Sequence, residues 1–260
     1  MKILFIGDIV GRTGRQMVGR CLSRLVDHHQ IDLVIANGEN AAAGFGLTRD
    51  VVGELLDLGI DVLTTGNHAW DKKDGLVCFD QEPALLRPAN YPPGAPGKGY
   101  GVYQTAAARS VAVINLEGRV FMGALDCPFR KADELLKQVG SGHSAVVIDF
   151  HAETTSEKGA LGTYLDGRVS AVLGTHTHVQ TADERVLPGG TAFISDVGMT
   201  GSRDSVIGIR KEQSVQRFLS QMPIKYEVAK GEPMLCCVII EIDETTGKAR
   251  RIVRIMELSS

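Results

Sequence analysis

Apolar runs rich in β-branched and aliphatic residues recur along the chain at Lys2-Ile6, Asp32-Ala36, Asp61-Thr65, Ser144-Phe150 and Ala171-Leu173. They read as buried parallel strands. Helical patterns over about 14–28 and 48–58 separate the first three, and this alternation predicts a parallel sheet with crossover helices. Thr13 followed by Gln16 reads as a capping box for the first helix, and Thr48 with Asp50 nearby as the start of the second. From 81 to 101 the texture changes. Five of the nine prolines fall there with several glycines, predicting a long irregular excursion that could serve as a lid or a subunit contact. β-rich stretches at 100–105 and 110–116 follow, then a break at Cys127-Pro128 and a helix near 130–138. The α/β rhythm resumes with the strand ending at Phe150, a helix at about 153–165 and a strand at 169–173. Hairpin-like strands near 179–187 and 191–195 flank the turn signal Pro188-Gly189-Gly190. A helix near 211–221 and two late strands, 234–243 and 248–258, joined at Thr245-Thr246-Gly247, complete the pattern. With no internal repeat, the composite predicts one domain over 1–260, a layered α/β sandwich of mixed strand direction.

Each of five short polar clusters sits just behind one of these runs: Gly7-Asp8, Asn37-Gly38-Glu39-Asn40, Gly66-Asn67-His68, His151 and His176-Thr177-His178. Strand carboxyl ends are where open α/β sheets gather ligands. The clusters hold carboxylates, amides and imidazoles, which are donors for hard to borderline divalent metals. The Gly7–Gly14 segment stands where a phosphate loop would, but its spacing fits neither G-x-G-x-x-G nor G-x-x-x-x-G-K-[ST]. A carboxylate there would repel phosphate unless a cation lay between them, so Asp8 reads as a metal ligand. Asn-Gly-Glu-Asn alone would be a turn, yet its glutamate could bridge two cations. Asn67 can complete a metal shell while His68 remains available as a proton donor. His176 and His178, two apart in extended chain, can point to one side. Four of the seven histidines end candidate core strands.

Composition changes this picture little. At 43% hydrophobic and 23% charged over 260 residues, the chain is ordinary soluble globular material. A net charge of -3 without a Lys/Arg block argues against a surface for gripping long nucleic acid, while small anions and RNA ends stay admissible. Five cysteines without C-x-x-C spacing predict reduced thiols and a cytoplasmic setting. The opening strand leaves no room for a signal peptide, and no apolar run approaches a membrane span.

The ordered series G-D, N-G-E-N, G-N-H, H and G-T-H-T-H, with the opening K-I-L-F-I-G-D-I-V-G-R-T-G-R, resembles the calcineurin-like metallophosphoesterases, most closely their bacterial YmdB-like branch. The resemblance spans nearly the whole chain. The broader superfamily opens its first motif as D-x-H and usually bridges its metals with an aspartate in G-D-x-x-D. Here position 10 is Val, and Glu39-Asn40 stands in the second motif, as in the YmdB-like branch. The resemblance implies an α/β/β/α sandwich of mixed sheets. It also implies two transition-metal ions, iron or manganese favoured and zinc admitted, one held by Asp8, Glu39, Asn40 and His178. The other would be held by Glu39, Asn67, His151 and His176, with Glu39 bridging. The activity implied is phosphodiester hydrolysis of cyclic nucleotides, 2′,3′-cyclic ones favoured, through a metal-bridging hydroxide, with His68 protonating the leaving oxygen. Arg12 and Thr200, the latter in the Asp196–Gly201 loop, are candidate substrate contacts. Trp70 could stack on a base or pack in the core. The rivals are a phosphomonoesterase, a metal-dependent nucleotide-binding regulator and an RNA nuclease, and assembly into a homo-oligomer stays open.

Overall fold

The computed structural model describes residues 1–140 and 142–259. The first part of the chain forms β1 (Lys2–Ile6), β2 (Asp8–Ile9), α1 (Gly11–His29), β3 (Leu33–Asn37), α2 (Arg49–Asp57), β4 (Val62–Thr64) and α3 (Leu76–Gln81). Next come β5 (Tyr100–Gln104), β6 (Ser110–Glu117), α4 (Pro128–Val139), β7 (Ala145–His151), α5 (Thr155–Tyr164) and β8 (Ala171–Thr175). The remainder forms β9 (Arg185–Val186), β10 (Ala192–Ile194), β11 (Met199–Ser202), α6 (Lys211–Ser220), β12 (Pro233–Ile242) and β13 (Ala249–Leu258). Two mixed sheets result. One runs β2-β11-β12-β1-β3-β4 with β13 on the other flank of β12, and the second runs β5-β6-β7-β8-β10-β9. Their centres are parallel, β1-β3-β4 in one and β6-β7-β8-β10 in the other.

Strand periodicity explains the layers. Along β1, Ile3 and Phe5 point to the opposing sheet, where they join Val113, Val147 and Leu173 in one core. Leu4 and Ile6 point outward and pack with Met17, Leu22 and Leu25 of α1 and Leu55 of α2. In the second sheet Ile148 and Phe150 pack outward with Leu135 of α4 and Leu161 of α5. Strands buried on both faces need apolar residues at every position, which is why their sequence reads as unbroken runs. The expected α/β/β/α sandwich is the observed architecture. Among the described residues no helix is long and apolar enough to cross a membrane.

Several local expectations differ. α1 starts at Gly11 with Val10 at its N-cap and no side-chain cap, so the Thr13–Gln16 box does not form. Its first amide instead donates across the fold to the Asn40 carbonyl at 2.9 Å. Thr48 does cap α2, its hydroxyl accepting from the Val51 amide. The segment read as a hairpin near 179–187 pairs only at Arg185–Val186, since Gln180 and Thr181 turn inward to bond Val197 and Asp196. The Asp196–Gly201 loop is partly strand: Met199 and Thr200 pair with Asp8 and Ile9. The proline-rich excursion is packed structure. Along the open edge of β4 the Leu63 amide donates to the Ala84 carbonyl and the Leu63 carbonyl accepts from the Leu86 amide, while the Ala89 amide donates to the Asn115 carbonyl of β6, tying the two sheets together. Trp70 packs beside Phe79 and Tyr91, with ring centroids 5.0 and 5.5 Å away.

Candidate metal centre

The carboxyl ends of β1, β3 and β4 in one sheet meet those of β7 and β8 in the other, and the polar clusters converge on that shared rim. Glu39 Oε1, Asn67 Oδ1 and His176 Nδ1 each lie 3.0 Å from His151 Nε2. One imidazole nitrogen cannot satisfy three such partners, all of which present lone pairs. A cation among these four donors would. Glu39, His151 and His176 all bring ligand atoms within 4.8 Å of one another. Beside them Asp8 Oδ1 is fully buried with no hydrogen-bond partner, 3.6 Å from His178 Nε2. Asn40 Nδ2 lies 3.2 Å from both Glu39 Oε1 and His178 Nε2, and turning the amide over presents its oxygen to the same spot. The oxygen and nitrogen donor set and the orphaned carboxylate fit metal binding.

The backbone builds this convergence at some cost. Gly66 must be glycine, because a Cβ there would stand 2.1 Å from the His151 ring. His176 and His178 share a site although the chain between them is not extended, contrary to expectation. Both adopt left-handed backbone, at φ 93° and 65°, which carries a strain of about 1–3 kcal/mol each. The His176 amide donates to Asp8 Oδ2 at 3.1 Å, fixing that turn against β2.

Outer partners select which nitrogen of each ring faces inward. His151 Nδ1–H donates to Thr175 Oγ1 at 2.9 Å, and that hydroxyl donates to Asp149 Oδ1 at 2.7 Å, leaving Nε2 as the inward lone pair. Asn37 Nδ2 donates to the other Asp149 oxygen at 3.0 Å. His178 Nδ1–H donates to the Ile207 carbonyl at 2.8 Å. His176 does the reverse, its Nε2 bonding Glu153 at 3.0 Å while Nδ1 faces the centre. Such outer bonds fix tautomer and ring orientation.

The electrostatics agree. Burial alone would depress the His151 imidazole, but Glu39, Asp8 and Asp149 outweigh it and push it up to about 9. Burial raises the Asp8 carboxyl, yet His178 and His151 together hold it well below the usual range. Burial, then the neighbouring His151, pushes His176 down to about 3, the neutral form a ligand needs. Buried carboxylates here call for positive charge where the donors meet.

Seven expected ligands, Asp8, Glu39, Asn40, Asn67, His151, His176 and His178, are thus gathered together, and His68 lines the cavity above them. The His68 amide donates to Glu39 Oε2 at 3.1 Å and its Nδ1 lies 2.8 Å from Asp71. Thr200, expected as a substrate contact, lies fully buried in β11, its hydroxyl 3.5 Å from the Cys236 carbonyl, outside the described cavity lining. Arg12 is exposed in the first turn of α1 and outside the cavity lining. Sequence reasoning missed Asp149, although a lone carboxylate inside an apolar run was its signal. Lys158 was missed too, and with it the role of Asp196, which was expected only within a pocket loop: the two form a buried ion pair at 2.9 Å, and Asp196 also accepts from the Thr177 amide at 3.0 Å. Asp149→Asn is expected to weaken metal retention by about 10–100-fold, since the relay behind His151 loses its negative charge and one of its two acceptor oxygens. Metal content after graded chelation checks this; retention equal to wild type would remove Asp149 from the account.

The family model described as YmdB-like protein matches residues 4–255. The chain belongs to the YmdB-like family. A Bacillus subtilis relative named 2′,3′-cyclic-nucleotide 2′-phosphodiesterase is 51% identical to this YmdB-like chain, covering 98% of it and 97% of the relative. A crystal structure of a Thermus thermophilus hypothetical protein superposes with TM-score 0.94 at 42% identity, covering all of both chains. One of a Mycoplasma pneumoniae protein, titled a novel phosphatase, gives 0.93 at 35%, covering 99% of this chain and 93% of that one.

Proposed function

We propose that this centre hydrolyses the phosphodiester of cyclic nucleotides, 2′,3′-cyclic ones favoured, with two transition-metal ions. The carrying observation is seven oxygen and nitrogen donors beneath a cavity whose described lining includes no lysine or arginine. A phosphate monoester dianion needs added cationic groups, whereas a singly charged diester is matched by the metal charge alone. Bound cations would supply Lewis-acid stabilisation of the phosphoryl oxygens and a water acidified to near neutral pH. Asp8, Glu39, Asn40 and His178 would hold one, and Glu39, Asn67, His151 and His176 the other. Donors without thiolate suit iron, manganese or zinc. Five free cysteines fit a reducing cytoplasm.

His68 supplies the proton. Asp71 accepts its Nδ1–H, so Nε2 is the nitrogen that would carry the donated proton, and the Glu39 bond to the His68 amide fixes the ring's base beside the ligands. His68→Ala is expected to slow hydrolysis of a ribose diester by roughly 10²-fold. The low end of the general-acid range applies because the side chain is 27% exposed and water can partly replace it. A diester with a nitrophenolate leaving group needs no acid and should lose far less; equal losses would exclude the acid role.

The reading is tested by metal analysis of the purified protein and parallel assays on a 2′,3′-cyclic nucleotide and the matching 2′- and 3′-monophosphates. Turnover of the cyclic diester with a metal requirement is expected. Faster turnover of the monophosphates would favour the monoesterase instead.

A further inference from the structure

Between β11 and β12 the chain makes an excursion over 203–232 that carries α6 and returns to the centre. Its base closes where the Arg203 amide donates to the Glu232 carbonyl at 2.8 Å. Its inner rungs run from Arg210 to the Glu227 carbonyl at 3.0 Å and from Ala229 to the Gly208 carbonyl at 2.8 Å. These bonds hold Ile207 and Ile209 alongside Tyr226, and all three side chains line the cavity over the metal ligands with Phe45 and Val10. Val228 locks the excursion to the loop that carries Phe45. A Cβ on Gly44, which has φ +98°, would lie 2.6 Å from a Val228 methyl, and one on Gly11 would lie 2.8 Å from the other.

The excursion also reaches the ligands. Ile207, a β-branched residue, is held at φ 48° while its carbonyl accepts from His178 Nδ1 at 2.8 Å. Backbone strain in such a residue marks a position fixed by its surroundings. The apolar wall is therefore in fixed register with the floor that would take the phosphoryl group.

We propose that Phe45 and Tyr226 form the surface on which the substrate's nucleobase stacks. This rests on the cyclic-nucleotide reading above and adds to it the residues that recognise the base. Both residues are half-buried, and both line the cavity. A molecule with a phosphoryl group at one end and a flat ring at the other covers both surfaces, while a base-free diester leaves the aromatic wall wet. The described polar side chains in the lining are the ligands Glu39, Asn40, His176 and His178, the acid His68 and the Tyr226 hydroxyl, so recognition is by stacking and tolerant of base identity.

Phe45 also meets His68 edge-on, with ring centroids 4.9 Å apart, so its removal could act through the acid. The test separates the two. Metal-replete wild type, Phe45→Ala, Tyr226→Ala and Tyr226→Phe are assayed on 2′,3′-cyclic AMP and on a methyl riboside 2,3-cyclic phosphate that lacks a base. The wild type is expected to prefer the nucleotide, and each alanine variant to lose about 10-fold of that preference, mainly through KM. Tyr226→Phe should keep it. Equal losses on both substrates, or a wild type indifferent to the base, would overturn the stacking assignment while leaving the phosphodiesterase reading intact. A wild type that cleaves neither compound defeats that reading and this inference with it.

Discussion

Glu39→Gln is expected to abolish turnover, by a factor of about 10³ or more, in a protein that melts near the temperature of metal-free wild type. The glutamate has two tasks that no other side chain duplicates. Oε1 lies 3.0 Å from His151 Nε2, among the donors of one cluster, and Oε2 accepts the His68 amide at 3.1 Å. Glutamine preserves shape and one oxygen but loses the negative charge and one acceptor, so it cannot bridge two cations. Both kcat on a cyclic nucleotide and metal content should fall, with circular dichroism unchanged. Near wild-type turnover by a metal-loaded E39Q protein would refute a bridging role. A purely regulatory protein makes the opposite prediction: the wild type itself turns nothing over.

Lys158→Ala is expected to cost about 3 kcal/mol of stability, toward the low end for breaking a buried ion pair. Lys158 and Asp196 each have side chains 1% exposed, and the lysine reaches from α5 to the segment after β10. Removing it strands a buried carboxylate. The cost is moderated because Asp196 still accepts from Thr177, at its amide and its hydroxyl, and from the Gly198 amide. Thr177 sits between the proposed ligands His176 and His178, so activity should fall along with stability. Urea titration measures the first effect. The double variant Lys158→Met with Asp196→Asn, which leaves no unpaired charge, should recover part of it. A K158A protein as stable as wild type would show that the pair contributes no net stabilisation.

The fold was largely legible because its parallel strands are buried on both faces and their runs stop where the polar clusters begin. Asp8, His151 and the histidine pair were visible for the same reason. Glu39 was legible only through the ordered series of clusters: Asn-Gly-Glu-Asn alone is locally indistinguishable from a solvated turn, and its place among donors of the other sheet is what no local pattern shows. Asp149 stayed hidden because it points sideways to Thr175 and Asn37 rather than ending a strand. The hydrogen bonds that choose Nδ1 or Nε2 on each ring run to partners distant in sequence, such as Ile207, which no local pattern announces. Thr200 looked available as part of a glycine-rich loop, but its pairing to Asp8-Ile9 is a tertiary event that buries it.

That the donors come from both sheets has a consequence for the protein's biogenesis. The bond from His176 to Asp8 spans 168 residues. Neither donor cluster can be completed on the ribosome until β8 and the histidines behind it have emerged, so a nascent chain that stops short of His178 could not yet hold a complete metal site. Cations held by these donors would fasten one sheet to the other. Because they bind the assembled fold and not the open chain, stability should rise with free metal by RT ln(1 + [M]/Kd), making metal supply in the cell a determinant of how long the protein survives as well as of how fast it works.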